Sequence, residues 1–356
     1  MIDQTKITPD WINKISKEHR NADKILVEKV IRALLLLEGL VKQNVSFVFK
    51  GGTALMLLLN SAKRLSIDID IILPNPPQNL NEILDAVVKE QGFLRKELQH
   101  RDTESEIKKA HYKFYYTPIH QTRANEEIIL LDILIEETNY NSVIQVPVTS
   151  PFIPVTSAPL LVNAPSIEDI LGDKLTAFAP NTTGIPYLKK GANMSMEILK
   201  QLYDIGNLLD VAEDAEIVKE TFSRFAVTEL AYRNQNTLTP QNVIDDIYQT
   251  ALTIVSRSVE GNGNFNELQL GIQRVGAFIF SESFHLEKAI ILASKAAYIA
   301  TIIKNNGQKN EKYANPLQMV DWTIRESFWQ KLNKLKRSNP EAFFYWYKIS
   351  DYTKVI

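Results

Sequence analysis

The stretch Phe47–Leu73, FVFKGGTALMLLLNSAKRLSIDIDIIL, decides how the chain is read. Phe47–Lys50 predicts a strand, Gly51-Gly52-Thr53 a turn, and the apolar residues from Ala54 a short helix. Lys63, Arg64 and Ser66 lie in the connection to a second strand. That strand carries Asp68 and Asp70 between apolar neighbours at 67, 69, 71 and 72. Side chains alternate along a strand, so Asp68 and Asp70 point one way while Ile67, Ile69 and Ile71 point into a core.

Two carboxylates on one face of an otherwise apolar strand are costly unless something neutralises them. A divalent cation held by oxygen ligands is the simplest neutraliser. A Gly-Gly-Thr turn opening a helix presents N–H groups and the positive helix end, which suit phosphate. Carboxylates for a metal beside a turn for phosphate imply a nucleotide handled as its magnesium complex, and phosphoryl or nucleotidyl transfer as the chemistry. Plainer readings stand beside this one. The glycines also suit a tight strand-to-helix turn, Ser66 a loop hydrogen bond, and Lys63 and Arg64 solvated loop charges.

The length of 356 residues allows two domains. An apolar content of 45% and a charged content of 23% are those of a soluble globular protein. The net charge of −2 gives no global signature for nucleic acid, so any RNA contact must come from a local patch. The absence of cysteine excludes disulfides and thiolate metal sites and fits a reducing cytoplasm. The opening residues, MIDQTKITPDWINK, lack the apolar region of a signal peptide. No apolar run reaches transmembrane length, so no membrane contact is expected.

Thr8-Pro9-Asp10 marks a helix start. Asn21-Ala22-Asp23 opens a longer helix to about Lys42, with Ile25, Leu26, Val30, Ile31, Leu34 and Leu35 at helical spacing. Beyond the central stretch, a helix is expected over Leu80–Gln91 and strands over Phe93–His100 and Ala110–Thr117, joined by the charged segment Arg101–Lys109. In EIILLDILIE, Glu127–Glu136, Asp132 interrupts an apolar strand and repeats the puzzle of Asp68 and Asp70. The Pro-rich stretch Val143–Leu161 suits an edge strand and an extended crossing between domains. From Ser166 the pattern turns helical. Helices are expected near Ser166–Ala177, Met196–Leu209, Ala215–Phe225, Pro240–Ser256, Asn266–Phe280, Leu286–Asn305 and Pro316–Asn333. The polar loop Pro180–Ser195 is longer than a connector needs. The expected architecture is therefore an α/β (α+β) domain with a mixed sheet over residues 1–165, then an all-α helical bundle over residues 166–356.

GGTAL at 51–55 followed by RLSIDID at 64–70 closely resembles the first motif of the AbiEii/AbiGii-type nucleotidyltransferases. These are toxins of bacterial toxin–antitoxin and phage-defence systems within the DNA polymerase β-like superfamily. The resemblance extends over roughly residues 25–210. It implies a third metal carboxylate from a neighbouring strand, which falls on Asp132. It implies a Lys early in the first helix after the sheet, matched by Lys174 in DKLTA, and a basic residue and an Asp matched by Lys200 and Asp204 in KQLYD. Gln201 stands where the family has a first Asp, which leaves that carboxylate's role open.

On this reading Asp68, Asp70 and Asp132 hold two Mg²⁺ ions. Gly51, Gly52 and the Thr53 hydroxyl cradle the phosphates, with Arg64 as a two-pronged clamp and Ser66 in the same loop. Lys174 acts as a point charge on the triphosphate, and Lys200 and Asp204, four apart on one helix face, form an oriented pair. Lys174, Lys200 and Asp204 are expected to face the acidic strands across a cleft. Lys174 also suits an exposed helix lysine, and Lys200–Asp204 a surface ion pair. The implied reaction moves NMP from an NTP to an acceptor hydroxyl and releases pyrophosphate. RNA, tRNA in particular, is the favoured acceptor, and a DNA-binding antitoxin is the implied partner. An antibiotic- or small-molecule-modifying nucleotidyltransferase and a non-catalytic nucleotide- or partner-binding module are the rivals.

His19, His100, His111, His120 and His285 show no ligand spacing, and none is assigned to a metal. The aromatic run FFYWY at 343–347, preceded by Lys331, Lys334, Lys336 and Arg337, resembles a stacking and basic RNA surface. Docking of a last helix onto the bundle explains the same aromatics.

Overall fold

The structure, a computed structural model, describes residues 1–59, 63–99, 109–120, 125–307 and 309–354. It divides into two compact units, Met1–Ser166 with Ala277–Ser283, and Ile167–Gly276 with Phe284–Ile356. Nothing in the sequence marks the return of Ala277–Ser283 to the first unit.

The first unit opens with α1 (Pro9–Glu18) and α2 (Lys24–Lys42). Thr8 and Asp23 cap them, their side-chain oxygens accepting from amides of the first turn, and Pro9 sits where its missing N–H costs nothing. The chain continues through β1 (Val48–Lys50), α3 (Gly51–Leu58), β2 (Ile69–Ile72), α4 (Leu80–Glu90), β3 (Arg95–Gln99), β4 (Lys109–Tyr116) and β5 (Glu127–Leu134). The helix α3 starts at Gly51 itself, three residues earlier than expected. His100 and residues 101–108 lie outside the described residues.

The five strands form one mixed sheet in the order β1-β2-β5-β4-β3, with β2 and β5 parallel and the other neighbours antiparallel. Phe49, Ile71 and Ile133 stand side by side on one face and are buried. That face belongs to the same core as α2, whose Leu34–Leu37 are fully buried. The pattern of α2 therefore reads apolar on nearly every side, as a helix enclosed by its own domain should. Its buried Glu28 accepts from the Ile119 and His120 amides at 2.8 and 3.0 Å, which satisfies the carboxylate. A separate two-stranded ribbon, β6 (Val143–Pro147) with β7 (Leu161–Pro165), closes the unit. The expected extended crossing at Val143–Leu161 is thus the outgoing strand and turn of a ribbon.

The second unit contains α5 (Ile167–Ala177), a small hairpin of β8 (Leu188–Lys189) and β9 (Ala192–Asn193), then α6 (Ser195–Val211), α7 (Ala215–Tyr232), α8 (Pro240–Ser256) and α9 (Phe265–Val275). It resumes with α10 (Leu286–Lys304), α11 (Leu335–Ser338) and α12 (Pro340–Lys354). The expected helix over Pro316–Asn333 is not formed; short 3₁₀ turns at Pro316–Met319 and Gln330–Lys334 stand there instead. The aromatic run on α12 is packing. Phe343, Phe344, Tyr345 and Trp346 are buried, and Trp346 Nε1 donates to Ser294 Oγ on α10 at 3.0 Å. Among the described residues no helix is long and apolar enough to cross a membrane.

Candidate active site

In the first unit the site begins at the junction of β1 and α3. Gly51 has φ +79°, in the left-handed region where a side chain is strained, and a Cβ there would lie 2.1 Å from Asp70 Oδ2. A Cβ on Gly52 would lie 2.6 Å from both Arg64 Nη2 and Ser66 Oγ. The two glycines therefore exist so that three polar groups can close on the backbone. The carboxylate of Asp70 comes against the first residue; the Arg64 guanidinium and the Ser66 hydroxyl come against the second. No side chain caps the start of α3, and first-turn amides have no partner within their own helix.

Arg64 is buried, and its Nη1 donates to the Leu65 carbonyl at 3.1 Å. The backbone around it is held by the returning segment, through a bridge to Ile279 and a 2.8 Å bond from the Leu65 amide to the Phe278 carbonyl. Thr53 departs from its expected role. Its side chain is fully buried, and its hydroxyl donates to the Asp68 carbonyl at 2.6 Å. With its proton committed there, Thr53 fixes the chain entering β2 rather than donating to a phosphate.

Register then sets the acidic groups in a row. Lys50 on β1 stands opposite Asp70 on β2, Asp70 beside Asp132 on β5, Asp132 opposite His111 on β4, and His111 opposite Gln99 on β3. Cross-strand partners share a face, so all five lie on the side of the sheet away from Phe49 and Ile71. Asp68 lies two residues before Asp70, on the chain leading into β2. His111 is the residue that sequence reasoning missed. Its Nδ1 lies 2.6 Å from Asp132 Oδ1. Alternation along β4 puts His111, Lys113 and Tyr115 on one face of the strand, and the sequence does not say what that face meets.

In the second unit Lys174, on α5, is buried, with its Nζ 2.8 Å from Asp204 Oδ2 on α6 and 3.0 Å from Gln201 Oε1. Asp204 is therefore engaged by Lys174, and Lys200 reaches Glu197 at 3.0 Å, one turn back on its own helix. Lys174 is thus not the exposed helix lysine that its position also allowed. Gln201 keeps an oxygen acceptor on the ammonium where a carboxylate was expected, so the cluster holds one negative charge instead of two.

The carboxylates suit a hard divalent cation, since every donor is oxygen. Asp70 and Asp132 are brought together by register, but one Asp132 oxygen is engaged by His111. Among the described residues no group of three His, Cys, Asp or Glu side chains is drawn together as a metal-binding cluster.

A sequence model described as "Nucleotidyl transferase AbiEii toxin, Type IV TA system" matches residues 35–269. The chain belongs to the AbiEii nucleotidyltransferase toxin family. The matched region contains the Gly-Gly turn, all three carboxylates, Lys174, Lys200 and Asp204. An AbiEii nucleotidyltransferase transfers a nucleotidyl group from an NTP and releases pyrophosphate, so this chain is an enzyme of that class. No curated protein matches it. Among solved structures it is similar to MenT4, a nucleotidyltransferase toxin of Mycobacterium tuberculosis H37Rv. That similarity is at 12% identity over 94% of this chain and 98% of that one, with a TM-score of 0.47. It is also similar to JHP933 from Helicobacter pylori, at 17% identity over 79% of this chain and 91% of that one, with a TM-score of 0.43.

Proposed function

We propose that this AbiEii nucleotidyltransferase works with Mg²⁺ and transfers NMP to a hydroxyl of RNA, with tRNA the favoured acceptor. The observation that carries the proposal is the arrangement at Gly51. A left-handed glycine brings an uncapped helix start and the Asp70 carboxylate together, with Asp132 next in register. Asp68, Asp70 and Asp132 would hold the metal. When bound, Mg²⁺ neutralises triphosphate charge and lowers the pKa of the attacking hydroxyl.

The chain's own groups supply the rest. The Gly51 and Gly52 amides, with Arg64 and Ser66 against them, receive phosphate oxygens. His111 holds Asp132 in one orientation through Nδ1. Lys174, kept in place by Asp204 and Gln201, is the cation assigned to the triphosphate, and Lys200 is a second positive group on α6. The acceptor hydroxyl loses its proton to solvent, its oxygen forms a bond to the α-phosphorus as the bond from that phosphorus to the oxygen bridging the β-phosphate breaks, and pyrophosphate leaves. Membership of a type IV toxin family also supports an antitoxin, DNA-binding and encoded alongside, as the partner.

The test is label transfer from each α-labelled NTP to total bacterial RNA with Mg²⁺, beside an Asp68→Asn/Asp70→Asn control. Label in a tRNA-sized band, absent from the control, is expected. Label on protein or on a small molecule alone would overturn the RNA acceptor. Label undiminished in the control would overturn the site.

A further inference from the structure

We propose that the second unit binds a single unpaired nucleobase of an RNA strand in a pocket between α8, α10 and the strap that joins α10 to α11. This deepens the RNA reading above and rests on it. The pocket holds about 260 Å³ and is lined by the rings of Tyr248, Phe328 and Trp329 together with apolar Ile244, Ala300 and Ile349. That is below the range of about 300–1,000 Å³ for drug-sized ligands and suits one planar ring system. Its lining also includes the planar amides of Gln249 and Asn305, the latter with Nδ2 on the Thr301 carbonyl at 2.9 Å and Oδ1 left to accept, and the Lys304–Asp245 ion pair at 2.9 Å.

The rings are held in place. Trp329 Nε1 donates to the Tyr248 hydroxyl at 3.1 Å, and Phe328 meets Trp329 edge-on, with centroids 5.7 Å apart. Burial raises the Tyr248 hydroxyl well above its ordinary pKa, so it stays protonated and neutral under the rings. Phe328 is nonetheless 52% exposed, an aromatic left half in the open beside a cavity. Aromatic faces stack on any base, and amides read its polar edge.

Charge on the strap selects a polyanion as the occupant. Between Val320 and Pro340 the chain carries five lysines and arginines against two acidic residues. Lys336 is spent on the fold, its Nζ bonding the Val320 and Trp322 carbonyls at 2.7 and 2.9 Å. Arg325, Lys331, Lys334 and Arg337 are exposed. Stacking rings flanked by solvated cations are what a single strand needs, bases on the rings and phosphates on the cations. On this proposal Lys331, Lys334 and Arg337 of the basic run serve the strand without Lys336, and the aromatic partners are Phe328 and Trp329 in place of the buried Phe343–Trp346.

The experiment is fluorescence anisotropy of the full chain with a fluorescein-labelled single-stranded RNA of about 12 nucleotides, within the span such surfaces cover. Phe328→Ala, at a half-exposed position, is expected to weaken binding about tenfold. Lys331→Ala/Lys334→Ala should flatten the slope of log affinity against log salt by about 0.7 per lost phosphate contact. Trp329→Phe should keep most of the affinity while removing the tryptophan quenching that accompanies RNA binding. The Asp68→Asn/Asp70→Asn variant should bind as wild type, which separates this pocket from the transfer site. If all pocket and strap variants bind RNA as wild type does, the pocket proposal falls while the RNA-acceptor reading stands. If wild type transfers nucleotide only to a non-RNA acceptor and does not bind the strand, both fall. Saturation of the pocket by a protein ligand with no RNA affinity would also overturn it.

Discussion

Gly51 cannot carry a side chain without moving a carboxylate, and that makes it a probe of the site. Alanine there meets two penalties. The left-handed backbone costs about 1–2 kcal/mol for an L-residue, and the new Cβ would lie 2.1 Å from Asp70 Oδ2. Gly51→Ala is expected to lower the unfolding temperature by several degrees and to reduce transfer per folded molecule by far more than that loss explains. Thermal melts and initial rates on the same preparation check this, and a wild-type rate would separate the turn from the chemistry. Lys174 poses the opposite problem, because its removal confounds binding with folding. Lys174 and Asp204 are both buried and 2.8 Å apart. Lys174→Met alone takes a paired ammonium away from a buried carboxylate, at a cost of about 3–5 kcal/mol. Lys174→Met/Asp204→Leu should recover most of it in urea titration while leaving NTP affinity low. If the double variant binds NTP normally, Lys174 is a structural ion pair only.

At the scale of elements, the loop over residues 180–195 shows how a long polar connection is made rigid. Asp246 on α8 accepts from the Asn181 amide at 2.8 Å, its Nδ2 at 2.7 Å and the Thr182 hydroxyl at 3.0 Å. Burial outweighs these bonds and raises the Asp246 carboxyl above its ordinary 3.8. A raised carboxyl favours the protonated form in the folded state, so the folded state gains stability as pH falls through the window just above 3.8. Asp246→Asn is expected to flatten stability against pH in that window, seen as a smaller change in urea midpoint than wild type shows. A wild-type slope in the variant would place the titrating group elsewhere. The same loop marks the boundary of what was legible. Helices written by 3.6 periodicity and caps were readable, as Asp23 before α2 shows, and α8 begins at the expected Pro240. The segment Pro316–Asn333 carried a helix-like spacing, yet its apolar residues serve as separate anchors: Met319 and Ile324 are buried, while Leu317 and Val320 are exposed. Carboxylates on strands were legible because they broke an apolar pattern. His111 broke none, sitting on a half-exposed strand where a polar residue is ordinary, and only the pairing of β4 with β5 gave it meaning. Lys174 was legible through family resemblance, but its burial against Asp204 depends on two helices meeting, which no local pattern encodes.

For the molecule as a whole, the division into units does not follow a single cut in the chain. Ala277–Ser283, between α9 and α10, belongs to the first unit. Its Phe280 is buried at the edge of His19, with ring centroids 5.1 Å apart, and His19 in turn stacks on Phe152 at 4.7 Å. Arg20 donates to Ser283 at 3.3 Å, and Phe278 and Ile279 hold the Arg64 loop. A fragment ending at Ser166 therefore lacks part of its own core. It should be less stable than the same unit in the full chain, and Phe280→Ala in the full chain should cost about 3 kcal/mol. The histidine in this stack gives the assembly a pH signature. Desolvation by the two rings lowers the His19 pKa from 6.5, against a smaller opposing effect of Glu18. With the folded value below the unfolded one, the unfolded chain takes up the proton first. The contribution of His19 is fully present above 6.5 and is lost as pH falls through 6.5 toward the folded value. Urea midpoints measured from pH 7.5 down to 5.5 should therefore decline in wild type before the carboxylates titrate. His19→Phe, which keeps a ring against Phe152 and Phe280, should remove the decline. An unchanged decline would mean that the segment is not held through this histidine and that another group senses the proton.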